Sequence, residues 1–324
     1  MKRIFVLLTV ALSLALSACT NNAVATVTLV AHDSFVMTDE LIAEHKKTVG
    51  PKLKILRAGD VGEMVGKLVL TKDAPIGDVV YGIDNTFASV VEENGILGAN
   101  KLVPIDFADI CFNVDIQYFK AKHLAIPEHW KDLINPKYKN LTVIENPNLS
   151  STGLGFLVST FAAFSGDAQT TSWWKSFKNN GVKVAASWED AYYTDFSGSA
   201  GKGKYPVVLS YSSSPADEVD ENGNAKTVAL RKDCFRQIEY AGVLSNAKQP
   251  QAGESLIKFM LGKSFQEALP SSMYVYPIDK TVALPESWEL RAPAAISTLG
   301  GDLDIAKNRS AWLSAYNKVF DVAP

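Results

Sequence analysis

Ser150-Ser151-Thr152-Gly153 sets three hydroxyls and a glycine directly before an apolar helical pattern built on Leu154, Phe156, Leu157 and Phe161. A second cluster, Ser210-Tyr211-Ser212-Ser213-Ser214-Pro215, marks another helix start, with Pro215 suited to the first helical position after a Ser214 cap. A third start, Ala58-Gly59-Asp60-Val61-Gly62, carries a carboxylate. Helix starts expose free N–H groups that hold anions and polar ligand atoms. In open α/β sheets these loops lie beyond the carboxyl ends of the strands, where ligands bind. Each start alone also reads as an ordinary cap; three together point to a pocket. Trp188, the Tyr192-Tyr193 pair, Tyr211, Tyr274 and Tyr276 add aromatic faces that suit a cationic or heteroaromatic ligand. Trp173 and Trp174 read as core instead.

Catalysis has few candidates. His32-Asp33-Ser34 has the residue types of a triad, but neighbours on an extended strand alternate faces and cannot form a relay. GxSxG, HExxH, CxxC and GxxxxGK[ST] patterns are all missing from the sequence. No catalytic residue, metal ligand or cofactor is therefore expected. Tyr192-Tyr193 is similar to the tyrosine pair of ferric-ion-binding proteins, but the surrounding residues carry that likeness no further.

The elements that must position these groups alternate. Strand patterns fall at 26–31, 53–56, 78–81, 141–144, 182–186 and 205–210. Helical patterns fall at 38–48, 61–70, 85–94, 151–164, 171–180, 249–262 and 304–319, and a further helix is expected from Trp188. That alternation predicts α/β architecture with a largely parallel sheet. Two apolar segments, 106–114 and 234–241, read as crossovers between two lobes, and each carries one cysteine, Cys111 or Cys234. Two crossings laid side by side would allow a staple between them; the alternative is two buried thiols.

The N-terminus reads as an export signal: Met1-Lys2-Arg3, an apolar run from Ile4 to Leu16, then small residues up to Cys19. Leu16-Ser17-Ala18-Cys19 resembles a bacterial lipobox, with Cys19 the lipid-bearing residue and 19–25 a polar tether. This predicts an extracytoplasmic chain held at the membrane by a lipid rather than spanning it. The formal net charge is −3, and the absence of a basic block argues against nucleic-acid binding.

Taken in order, His32-Asp33-Ser34-Phe35, Gly59-Asp60-Val61, the run 78–85, Val103-Pro104-Ile105-Asp106-Phe107, Asn146-Pro147, the run 150–155, Trp188-Glu189-Asp190-Ala191-Tyr192, the run 208–215 and Tyr276-Pro277 resemble the extracytoplasmic thiamine-binding proteins of bacterial ABC importers. The resemblance runs through most of the mature chain. It implies a two-lobed type II periplasmic-binding-protein fold with two crossover strands at the hinge. Lobe 1 would be 26–108 plus 241–285 and lobe 2 would be 112–233. The crossovers would be 109–111 and 234–240, after a signal peptide 1–18 and before a C-terminal helical segment 286–324. It also implies a monomeric, non-enzymatic protein that hands thiamine, or its mono- or diphosphate, to a permease driven by an ATPase. The implied ligand contacts are Asp60, Val61, Ser150, Ser151, Trp188 and Tyr211 through Ser214 (Ser212 and Ser213 included). His32 and Tyr274 stand where the family pattern has tyrosine and tryptophan, which leaves the preferred thiamine form open. Ferric iron, a polyamine and a thiaminase-like enzyme with a cysteine nucleophile are the competing readings.

Overall fold

A computed structural model describes residues 26–199 and 203–322. The signal segment, Cys19 and the tether 19–25 lie outside the described residues.

The first three strands are β1 (Thr26–Ala31), largely buried, β2 (Lys52–Arg57), partly exposed at the sheet edge, and β3 (Val79–Asp84), wholly buried. They alternate with α1 (Asp39–Thr48), α2 (Val61–Leu70) and α3 (Ala88–Glu93). Thr38 caps α1 by accepting from Leu41 N at 3.3 Å. Asp39 and Glu40 in its first turn and Lys46 and Lys47 in its last suit the helix dipole. The long strand β4 (Val103–Asp115) follows, then α4 (Ile116–Ala121), β5 (Thr142–Glu145), α5 (Ser151–Ala163), α6 (Asp167–Asn179), β6 (Lys183–Ala185) and β7 (Val207–Tyr211). A second long strand, β8 (Thr227–Val243), precedes α7 (Pro250–Met260), α8 (Lys263–Ser272), β9 (Tyr276–Pro277), α9 (Glu286–Arg291) and α10 (Ile305–Phe320).

The strands form one mixed sheet in the order β2-β1-β3-β8-β4-β7-β5-β6, with β9 on β4. The wings β2-β1-β3 and β7-β5-β6 are parallel, as the alternating pattern predicts. The centre is not: β4 and β8 run antiparallel along most of their length, and each also pairs antiparallel with the adjacent wing. Two crossings in opposite chain directions can only pair that way. Opposite Cys111 the register slips, so that Ile110 faces Phe235 and Phe112 faces Leu230. Cys234 lies in the resulting bulge and forms a disulfide with Cys111, their Cα atoms 5.0 Å apart.

Packing fixes the wings. In α5 every residue from Ser151 to Thr160 is buried, as in a helix enclosed on all sides. Trp173 and Trp174 of α6 pack on Trp130 and Phe156, with Phe177 against both, so the two tryptophans are core. The helix expected from Trp188 is instead a single π-helical turn, Asp190–Asp195, closed by Phe196 N donating to Ala191 O at 2.9 Å. Trp188 precedes this turn and packs on its Tyr192 and Tyr193. The helix expected after Ser214 is likewise one 3₁₀ turn, Ser214–Ala216.

Candidate ligand cleft

Asp60 links the two wings. Its Oδ1 accepts from Val61 N at 2.6 Å at the start of α2, and its Oδ2 accepts from Trp188 N at 2.9 Å beyond β6. Burial raises its pKa, while these two N–H groups and the Ser150 hydroxyl oppose the shift. Two residues on, Gly62 N donates to Leu149 O at 2.8 Å. A Cβ at Gly62 would lie 2.5 Å from that oxygen, so only glycine permits this approach of two backbones.

Trp188 is the aromatic centre. It stacks on Tyr192 (centroids 4.9 Å, 14° between planes), meets Tyr193 edge-on at 5.4 Å and faces Tyr211 at 6.2 Å. Its Nε1 donates to Ser210 Oγ at 3.0 Å, and Ser210 Oγ bonds Ser214 Oγ at 2.8 Å. The Ser214 hydroxyl also accepts from Tyr211 N at 3.2 Å, so it fixes the tryptophan and does not cap a helix. Ser150 occupies the cap position of α5, yet its hydroxyl bonds Thr152 Oγ1 at 2.9 Å, and no helix N–H reaches it.

These groups line one cleft with two chambers. The larger, about 250 Å³, is walled by Trp188, Tyr192, Tyr193, Tyr211, Tyr274 and Met273. The smaller, about 40 Å³, is lined by Asp60, Val61, Ser151, Thr152, Ser187 and Glu189. His32, Ser34, Trp188, Tyr211 and Glu239 border both. Ser214 faces the larger chamber, whereas Ser150, Ser212 and Ser213 are buried behind the lining. Tyr274 holds a left-handed backbone (φ 55°), an uncommon conformation for a bulky residue and one that recurs at ligand sites. His32 fits because Gly82 (φ 94°) lies against it; a Cβ there would fall 2.2 Å from the imidazole Cδ2.

The charge of the cleft is one-sided. Asp33, Asp60, Glu189, Asp217 and Glu239 line it, and no Lys or Arg does so among the described residues. Burial and the neighbouring Asp33 raise the Glu189 pKa. Burial and Asp217 do the same for Tyr193 and Tyr274. Such a site favours a cation that presents a flat face. Glu239, Gln237, Asp217 and Glu189 were not among the residues expected from sequence. Glu239 sits within Arg236-Gln237-Ile238-Glu239-Tyr240, a strand-like stretch read as a crossover; its polar–apolar alternation is the signal that marks one face as lining. Nothing in the sequence marks Asp217.

Known proteins share this architecture. A structure of a periplasmic thiamin binding protein superposes with a TM-score of 0.79 at 23% identity, covering 92% of this chain and 96% of the other. Iron-bound HitA from Pseudomonas aeruginosa superposes with a TM-score of 0.68 at 18% identity, covering 91% and 99%. The fold is thus that of the type II periplasmic binding proteins. More narrowly, the family model for bacterial extracellular solute-binding proteins matches residues 81–298, and the chain belongs to that family. It is a binding protein, not an enzyme. Among relatives, the thiamine-binding periplasmic protein of Salmonella typhimurium is 26% identical over 285 residues, 82% of this chain and 84% of its own. That of Brucella suis is 25% identical over 311 residues, 90% and 91%.

Proposed function

We propose that this protein captures thiamine, or its mono- or diphosphate, in the cleft and delivers it to the permease of an ABC importer. The observation that carries the reading is the aromatic chamber built on Trp188 and rimmed by carboxylates, with no Lys or Arg among the described residues that line it. Trp188 and Tyr211 stack on the ligand rings, and the acidic rim balances the thiazolium charge. Ser151 and the start of α5 hold the hydroxyethyl or phosphate end. Segments 26–108 plus 241–285 and 112–233 act as two lobes that close over the ligand about 109–111 and 234–240, because bound ligand favours the closed form. Lipid on Cys19 keeps the monomer at the outer face of the membrane, beside the permease and its ATPase. A thiaminase-like reaction needs a free thiol nucleophile, and Cys111 and Cys234 are both consumed in the disulfide.

Calorimetric titration of the refolded, signal-less protein with thiamine, its two phosphates and ferric citrate tests the reading. One-to-one binding of a thiamine form is expected. Trp188→Ala should weaken it by about tenfold or more, the loss of one cation–π face. Binding of ferric citrate alone, or of nothing, would overturn the assignment of the ligand.

A further inference from the structure

At and beneath the cleft floor lies a group of buried acids, of which Asp106 makes no contact with the cleft. Asp106 of β4 and Glu239 of β8 are direct cross-strand partners, both buried. Like charges directly opposite one another repel across such a pair. Tyr81 offers its single hydroxyl proton to both, at 2.5 Å from Asp106 Oδ2 and 3.0 Å from Glu239 Oε2. One proton cannot satisfy two acceptors, and Asp106 Oδ1 has no hydrogen-bond partner.

Among the described residues, no Lys or Arg reaches the pair to offset it. Just after β1, His32 Nε2 stands 3.7 Å from Glu239 Oε1 without a hydrogen bond. From β3, Asp84 is another buried acid; from β7, Tyr211 is a phenol; on β8 itself, Gln237 Nε2 donates to Glu239 Oε1 at 2.9 Å. The guanidinium of Arg309 in α10 lies over Phe87 and approaches Asp84 rather than the pair. Arg236 is engaged by Asp109. Glu239 alone of the two acids borders the ligand cleft.

We propose that Asp106 and Glu239 together store one proton beneath the empty cleft and release it when a cation binds above Glu239. Capture of a cationic ligand is thereby coupled to proton release. The inference rests on the cationic ligand proposed above. On binding, the carboxyl O–H of the pair breaks and the proton leaves to solvent. The two carboxylates then share the Tyr81 hydroxyl and the field of the bound cation. Burial and the repulsion of Glu239 hold the Asp106 carboxyl well above the usual carboxylate range, in the direction of a retained proton while the cleft is empty. Since binding expels a proton, affinity rises with pH wherever the empty cleft is protonated.

The test is thiamine calorimetry at neutral pH in buffers of different ionisation enthalpy, with infrared spectroscopy of the ligand-free protein alongside. Release approaching about one proton per ligand is expected, with affinity tightening up to about tenfold per pH unit. Asp106→Asn keeps the shape and the Tyr81 contact but cannot ionise; it should reduce the release to near zero and remove a protonated-carboxyl infrared band. His32→Gln should keep the release, whatever it does to affinity. Buffer-independent binding heats in the wild type, or release that survives Asp106→Asn, would overturn the coupling. If thiamine does not bind, the functional reading fails by itself, and a missing carboxyl band still refutes the stored proton.

Discussion

Asp84 shows how a single buried side chain sets a pH dependence. Its carboxylate accepts from Thr86 Oγ1 at 2.7 Å and from the backbone N–H groups of Thr86 and Phe87 at 3.1 Å. Burial and the nearby Glu239 outweigh those bonds and raise its pKa to about 7. In the unfolded chain it ionises near ~4. Between these values the folded protein holds the extra proton, so this contribution to stability is complete below about pH 4 and lost as pH rises through about 7. Asp84→Asn should therefore gain on the wild type as pH rises from mildly acidic to mildly alkaline, by on the order of a few kcal/mol. Urea denaturation at the two extremes measures this, and a mutant–wild-type difference independent of pH would refute it. The same scale explains what sequence reading could find. Trp188, Asp60 and Ser151 are visible because their types and their places at helix starts signal ligand chemistry. The Ser214 hydroxyl is visible too, but its true partner, the Trp188–Ser210 chain, is set by packing between separate elements.

At the scale of elements, helix starts do the positioning, and one contact between them has no spare room. The start of α2 meets Leu149, in the turn before α5, through Gly62 N and Leu149 O. Gly62→Ala would push α2 from that turn, an overpacking cost of about 1–3 kcal/mol. Because Asp60 and Ser151 line the cleft on either side of this joint, ligand affinity should fall by at least about fivefold with the fold retained. Calorimetry with a circular-dichroism control checks this; an unchanged affinity would mean that the joint plays no part in the bound form. Most regular strands and helices were legible from hydrophobic period and caps; α4, α8 and α9 were not. The short turns at 190–195 and 214–216 were not, because their form depends on where Trp188 and Tyr211 must point and not on local propensity.

For the whole molecule, β4 and β8 are the spine to which both wings attach, and the Cys111–Cys234 bridge fastens them at the bulge. It closes a loop with a sequence separation of 123 residues. Replacing both cysteines by serine should cost about 2–5 kcal/mol, mostly through a less restricted unfolded chain. Ligand binding should survive, since neither cysteine lines the cleft. A lower urea midpoint with intact binding is the expected result; loss of binding with an unchanged midpoint would show that the bridge shapes the cleft.

Composition and order along the chain determined the α/β class, the parallel wings, the placement of one cysteine on each of two crossings and the two helix starts, at Asp60 and Ser150, that frame the cleft. These are local or near-local properties: hydrophobic period, capping chemistry and the direction in which a chain must run. Only the tertiary structure decided that the centre of the sheet is antiparallel, that Ser212 and Ser213 turn away from the cleft, and that Asp106 and Glu239 face each other. Residues separated by more than a hundred positions meet according to strand register, and a shift of one residue would turn each of them to the opposite face.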